Sequence, residues 1–308
     1  MGADGTSNTD RVYLDYTQNA LDRAYDQSQW APNMPDMIKT WSERGEECRK
    51  HSDYSEHAYG LDTRERVDVF DASGQILHFH IHGGAWRGQS KEGCSFLAPA
   101  MQSINVPFIV PEFGLLPHQR MPEVFAQIAR ALVWTYETFV ATGRAKEIVI
   151  SGHSSGAHMA ALLASHDFGK TVPLSALRAV LCLSGSYDLA PVLLSARRNY
   201  IDLTPQEQRT LSPIERIGET RLPLHLFFGE AESPEFIRQS RAYAAALAKD
   251  GKLAACVQVP GANHFEMADQ LASLDTPAGS WLRTLITMPH SASDLPPQFT
   301  SQPTRVIA

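Results

Sequence analysis

Apolar residues along this chain fall into short, nearly pure runs, separated by longer stretches in which they recur every three or four positions. The runs read as strands at 66–70, 76–81, 108–113, 147–150, 179–183, 222–228 and 254–259. Between them, 122–142, 157–165 and 234–250 carry helical spacing, and Pro122 and Pro234 sit where a first helical turn tolerates proline. Strands alternating with helices, the later strands apolar on both faces, predict an α/β fold with a mostly parallel twisted sheet flanked by helices. Residues 11–60 differ. They are strand-poor, with Leu14, Leu21 and Tyr25, then Ile38, Trp41, Gly45 and Cys48, near helical spacing, and they read as an amino-terminal helical cap. The expected organisation is a disordered start at 1–10, a single domain over 11–289, and a flexible tail at 290–308 rich in Pro, Ser and Thr.

The run ending at Ile150 leads into Gly152, His153, Ser154, Ser155 and Gly156, and a helix-like stretch follows at once. This is a G-x-S-x-G elbow in a strand, turn, helix setting. The glycines leave room for a sharp reversal that presents Ser154 to a substrate. A serine hydroxyl is a poor nucleophile near neutral pH, so it needs a base and an oxyanion site. Upstream, the strand at 76–81 breaks at His82, Gly83, Gly84, Ala85 and Trp86. A glycine pair can simply end a strand, but paired with the elbow it reads as an oxyanion loop. The backbone N–H groups of Gly84, Ala85 and Ser155 are the expected donors.

Position selects the base among 12 histidines: His264 follows the last strand and the breaker pair Pro260 and Gly261. The acid belongs between nucleophile and base. Glu232 is preferred, three residues past the glycine that ends the strand at 222–228; Glu230 and Asp188, also near strand ends, remain alternatives. Glu235 follows Pro234 and reads as a first-turn helix residue.

These residues resemble the α/β-hydrolase superfamily, and most of all the animal-type kynurenine formamidase (arylformamidase) group, which borders the hormone-sensitive-lipase-like esterases. The likeness extends from about Tyr13 to His264. It includes Ala157 and His158 after the elbow, the run Ser184 to Leu189, Asn199, the pair Ser212 and Pro213, and the run Ser233 to Ser240. In the family the acid before that last run is commonly aspartate, where this chain has Glu232, and alanine often stands where it has Ser155. The resemblance implies an α/β-hydrolase fold and a serine hydrolase that cleaves a formyl or short acyl group from an aryl amide or ester through Ser154, Glu232 and His264. A carboxylesterase or amidase acting on other small aromatics is the alternative, and a non-catalytic binding protein on the same fold is a more distant one. Trp86, Tyr187 and Phe113 are expected to line the substrate pocket, with Trp30 and Trp41 contributing from the cap.

With 43% hydrophobic and 20% charged residues, the 308-residue chain can bury a large core. A formal charge of −7 and the lack of basic clusters argue against nucleic acid as a partner. No apolar run approaches the ~20 residues needed to cross a bilayer, and the polar amino terminus lacks a secretory plan, so a cytoplasmic, membrane-free protein is expected. The expected partner is a small aromatic amide or ester, with a homodimer allowed. Cys48, Cys94, Cys182 and Cys256 lack metal or redox spacing; Cys182 and Cys256 read as core. His78, His80 and His82 share one strand face but spread over ~13 Å, too far to close on zinc, so no metal and no cofactor is expected.

Overall fold

The computed structural model describes residues 10–288; of the start and tail expected to be disordered, all but Asp10 lie outside the described residues. Eight strands form the main sheet: β1 (Ser55–Ala58), β2 (Arg66–Phe70), β3 (Ile76–Ile81), β4 (Phe108–Pro111), β5 (Glu147–His153), β6 (Leu177–Leu183), β7 (Leu224–Gly229) and β8 (Leu253–Val259). Their order is β8-β7-β6-β5-β3-β4-β2-β1. From β4 to β8 every pairing is parallel; β2 runs antiparallel to β4 and to β1. This is the twisted, mostly parallel sheet that the apolar runs predict.

Side-chain alternation divides the strands between two cores. Leu77, Phe79, Ile81, Ile148 and Ile150 face one, packed against α1 (Gln18–Tyr25), α3 (Met121–Thr135), α4 (Ser155–Ala164) and α5 (Pro234–Lys249). Phe108, Val149, Leu181 and Leu183 face the other, against α2 (Met34–His51), α6 (His264–Asp269) and α7 (Pro277–Thr287). The amino-terminal segment therefore contributes to both cores, α1 to the first and α2 to the second.

Three local differences from the expected pattern have physical causes. Strand β1 carries Glu56 and His57 and is exposed along its length, so no buried face imprints a period on it; it is a charged sheet edge. Leu14 belongs to no helix: it turns the small hairpin of Arg11–Tyr13 and Tyr16–Thr17 at φ +47°. Cys256 lies on β8, at the other edge, and is exposed, whereas Cys182 on central β6 is buried. No helix among the described residues is long and apolar enough to cross a membrane.

The chain passes from β3 to β4 on one side and later returns to place β5 on the other. That reversal opens a crevice at the carboxyl ends of β3 and β5, where ligands bind in such sheets. The loop beginning at His82 and the turn at Ser154 both emerge there.

Candidate active site

Ser154 stands between β5 and α4 at φ 55° and ψ −119°, a strained conformation for a residue with a side chain. Close packing enforces it. A Cβ at Gly156 would lie 2.1 Å from the Ile81 carbonyl oxygen, and one at Gly152 would lie 2.3 Å from that of Gly156. Only glycine at both positions lets the turn close against β3.

The Ser154 hydroxyl lies 2.9 Å from Nε2 of His264, and His264 Nδ1 lies 2.8 Å from Oε2 of Glu232. All three side chains are buried. In the neutral tautomer with a proton on Nδ1, the ring donates to Glu232 and accepts from Ser154. The other Glu232 oxygen accepts from the Ser184 hydroxyl at 2.5 Å and the Gly229 amide at 2.6 Å. The carboxylate is thus held by hydrogen bonds on both oxygens. Glu230 and Asp188 are used elsewhere: Glu230 accepts from the Gly261 amide, and Asp188 caps the short helix Leu189–Leu194 through the Ala190 amide.

His264 begins α6, where Asn263 and Glu266 form a capping box. His153, beside Ser154, shares a 2.8 Å hydrogen bond through Nε2 with the His264 carbonyl. Burial, with His264 adding to it, pulls the His153 imidazole down to about 3, so the ring is neutral and donates this bond. The amino-terminal segment reaches the same place: Asn33 donates to Glu266 at 2.9 Å and accepts from Asn263 at 2.8 Å.

The loop expected to hold an oxyanion runs through Gly84 (φ 99°), Ala85 (φ 55°) and Trp86 (φ 62°), three consecutive left-handed residues. Gly84 and Ala85 line the same cavity as Ser154, and Ser155 opens α4, so its amide belongs to the unbonded first turn. Among the described residues, the amides of Gly84, Ala85 and Ser155 have no protein acceptor. His82 supports the loop from beneath, stacked on Phe113 at 4.1 Å with Nδ1 3.0 Å from the Gly83 carbonyl. His78 and His80 both bond the Ser151 hydroxyl, at 2.6 and 2.8 Å, and are buried.

The cavity above Ser154 measures about 490 Å³, and its walls correct the expected pocket residues. Trp86, Tyr187 and Phe113 do not line it. Trp86 is buried and donates to His158; Tyr187 stacks on Tyr243 at 4.4 Å; Phe113 lies under His82. Trp41 stacks on Phe96 in the second core, and the Trp30 indole donates to the Arg23 carbonyl. Each aromatic near a strand end contributes more by filling the core than by facing a ligand. The walls come instead from Tyr25, Met34, Arg87, Arg197 and Tyr200. Their separation in the chain hides them from motif reading.

A family model described as the alpha/beta hydrolase fold matches residues 78–268, which contain every group above except the amino-terminal contacts. Kynurenine formamidase from Salmo salar is 26% identical over 85% of this chain and 94% of its own length; that from Danio rerio is 24% identical over 83% and 92%. A solved structure from Silicibacter sp. tm1040, provisionally described as a thioesterase, has a TM-score of 0.75 at 25% identity, covering 87% of this chain and 99% of its own. With the elbow between β5 and α4 and the sheet order in hand, the chain is a hydrolase of the alpha/beta hydrolase fold family, similar to the kynurenine formamidases.

Proposed function

We propose that this protein is a serine hydrolase that removes a formyl or short acyl group from an aryl amide or ester. The observation that carries the reading is the continuous chain Ser154–His264–Glu232, with both links under 3 Å, at the floor of a cavity. His264 Nε2 takes the Ser154 proton as Oγ attacks the carbonyl carbon, and Glu232 stabilises the imidazolium. The resulting oxyanion accepts from the amides of Gly84, Ala85 and Ser155, a donor being worth about 3 kcal/mol of barrier in comparable sites. Collapse breaks the bond to the amine or alcohol, which leaves with the His264 proton. Water then adds to the acyl-enzyme, gives a proton to His264, and frees Ser154 with release of the acid.

The formyl or acetyl group is expected to sit between Ser154, Gly84 and Ala85, with the larger leaving group in the rest of the cavity. Two assays test this. A serine-directed phosphonate is expected to label Ser154 and leave Ser154→Ala unmodified, and that variant is expected to lose essentially all turnover while keeping its thermal midpoint. Activity retained in the folded variant would place the nucleophile elsewhere. Formanilide is expected to be turned over alongside 4-nitrophenyl acetate. A preference for the ester by orders of magnitude would favour a carboxylesterase, the second reading, which the thioesterase-like neighbour supports.

A further inference from the structure

The elbow pattern requires glycine at 152 and 156 and serine at 154 but leaves position 153 open, and the mechanism above gives its residue no step. His153 is nonetheless only 3% exposed, and its ring touches both segments that approach Ser154. On one side Nε2 lies 2.8 Å from the His264 carbonyl oxygen, and the two imidazole rings are 4.8 Å apart at an angle of 44°. On the other, His153 packs against the loop at Gly83: a Cβ there would come 3.2 Å from His153 Nδ1 and 2.9 Å from its carbonyl oxygen. One residue of the elbow thus bears on the base and on the loop that precedes Gly84.

A carbonyl only accepts, so His153 Nε2 carries the proton and its donor is spent on the main chain of His264. Burial keeps the ring neutral, and no charge on it opposes the imidazolium that His264 becomes. The bond between His264 and Ser154 cannot itself keep the base in place, because each turnover breaks it: the proton moves to Nε2 while Oγ bonds the acyl carbon. Two contacts of His264 are not consumed, Glu232 on Nδ1 and His153 on the carbonyl. The first sets the rotation of the ring, and the second sets the backbone from which the ring hangs.

We propose that His153 is a positioning residue for the base: by donating from Nε2 to the His264 carbonyl it ties the main chain of the base to the elbow, and so keeps His264 Nε2 in reach of the Ser154 hydroxyl and then of the attacking water. This rests on the serine hydrolase reading above and deepens it. His153 moves no proton in the reaction and acts through His264 alone. A small displacement of a general base is enough to slow proton transfer severely, so the effect belongs to the chemical step and not to substrate binding.

The test compares His153→Gln with His153→Asn on formanilide and 4-nitrophenyl acetate. The glutamine amide nitrogen stands about where Nε2 stood and can donate to the same carbonyl, whereas asparagine carries the same group one carbon short. His153→Asn is expected to lower kcat by roughly ten- to a hundredfold with KM within about twofold of the wild type, and to slow phosphonate labelling of Ser154 by a similar factor per folded molecule. His153→Gln is expected to hold kcat within about threefold. A ring that only fills space would lower the thermal midpoint and leave kcat intact, and one that serves only to bind substrate would raise KM. Either result, or equal losses of kcat in the two variants, would overturn the role while leaving the hydrolase intact. If His153→Asn does not fold, His153→Met, which fills the site without a donor, takes its place in the comparison with His153→Gln. Should the wild type turn over neither substrate and phosphonate fail to label Ser154, the hydrolase reading falls and the role with it.

Discussion

A single residue type at the acid position shows how finely the site is specified. The longer glutamate fits at 232 because Ser184 and Gly229 grip one oxygen and present the other to His264. Glu232→Gln keeps the shape and can keep the grip, but its amide nitrogen forces the opposite tautomer on His264. The expected result is a fall in kcat of about 10³- to 10⁴-fold with little change in stability, read by steady-state kinetics and thermal melting. A loss below tenfold would deny Glu232 the role. At this scale the triad candidates were legible, because a strand end followed by a glycine announces where a side chain emerges. Glu230 and Asp188 had the same credentials in sequence; only coordinates show their oxygens turned to other amides. The cavity walls were not legible, since Arg87, Arg197 and Tyr25 meet through folding and not through spacing.

At the level of elements, the elbow depends on β3 and α4 approaching without side chains between them. Gly156→Ala drives a methyl against the Ile81 carbonyl and is expected to cost about 3 kcal/mol, read as a lowered urea midpoint. Gly218, around which a Cβ meets nothing within 4 Å, is the matched control, and Gly218→Ala should leave the midpoint close to wild type. Equal midpoints in the two variants would remove the steric argument. The central strands were readable within two or three residues, because burial on both faces writes itself as continuous apolar sequence. Strand β1, exposed and charged, writes nothing of the kind. Helix α3 also stops sooner than its pattern, at Thr135, with a wider turn at Tyr136–Val140 continuing the path.

For the whole molecule, the buried histidines tie stability to acidity. Burial lowers His78, His153 and His225 to about 3 and His158 to about 4, from an ordinary value of 6.5. Below pH 6.5 the unfolded chain takes up these protons and the folded one does not, so stability is full above that pH and drains as pH falls toward 3–4. Each such ring contributes a slope of about 1.4 kcal/mol per pH unit. Thermal midpoints are therefore expected to be level above pH 7 and to drop steeply between pH 6.5 and 5, before most carboxylates titrate. A flat profile across that interval would show that the rings are charged or accessible.

The bond between Ser154 and His264 spans 110 positions of the chain, and Asn33 clasps the loop that carries the imidazole. A ribosome makes Ser154, the loop at Gly84 and the clasp at Asn33 well before residue 264. Until residue 264 is made and docks there, the Ser154 hydroxyl lacks the imidazole that it contacts in the folded chain. On the triad proposed above, a chain that stops short of residue 264 is expected to have no activity.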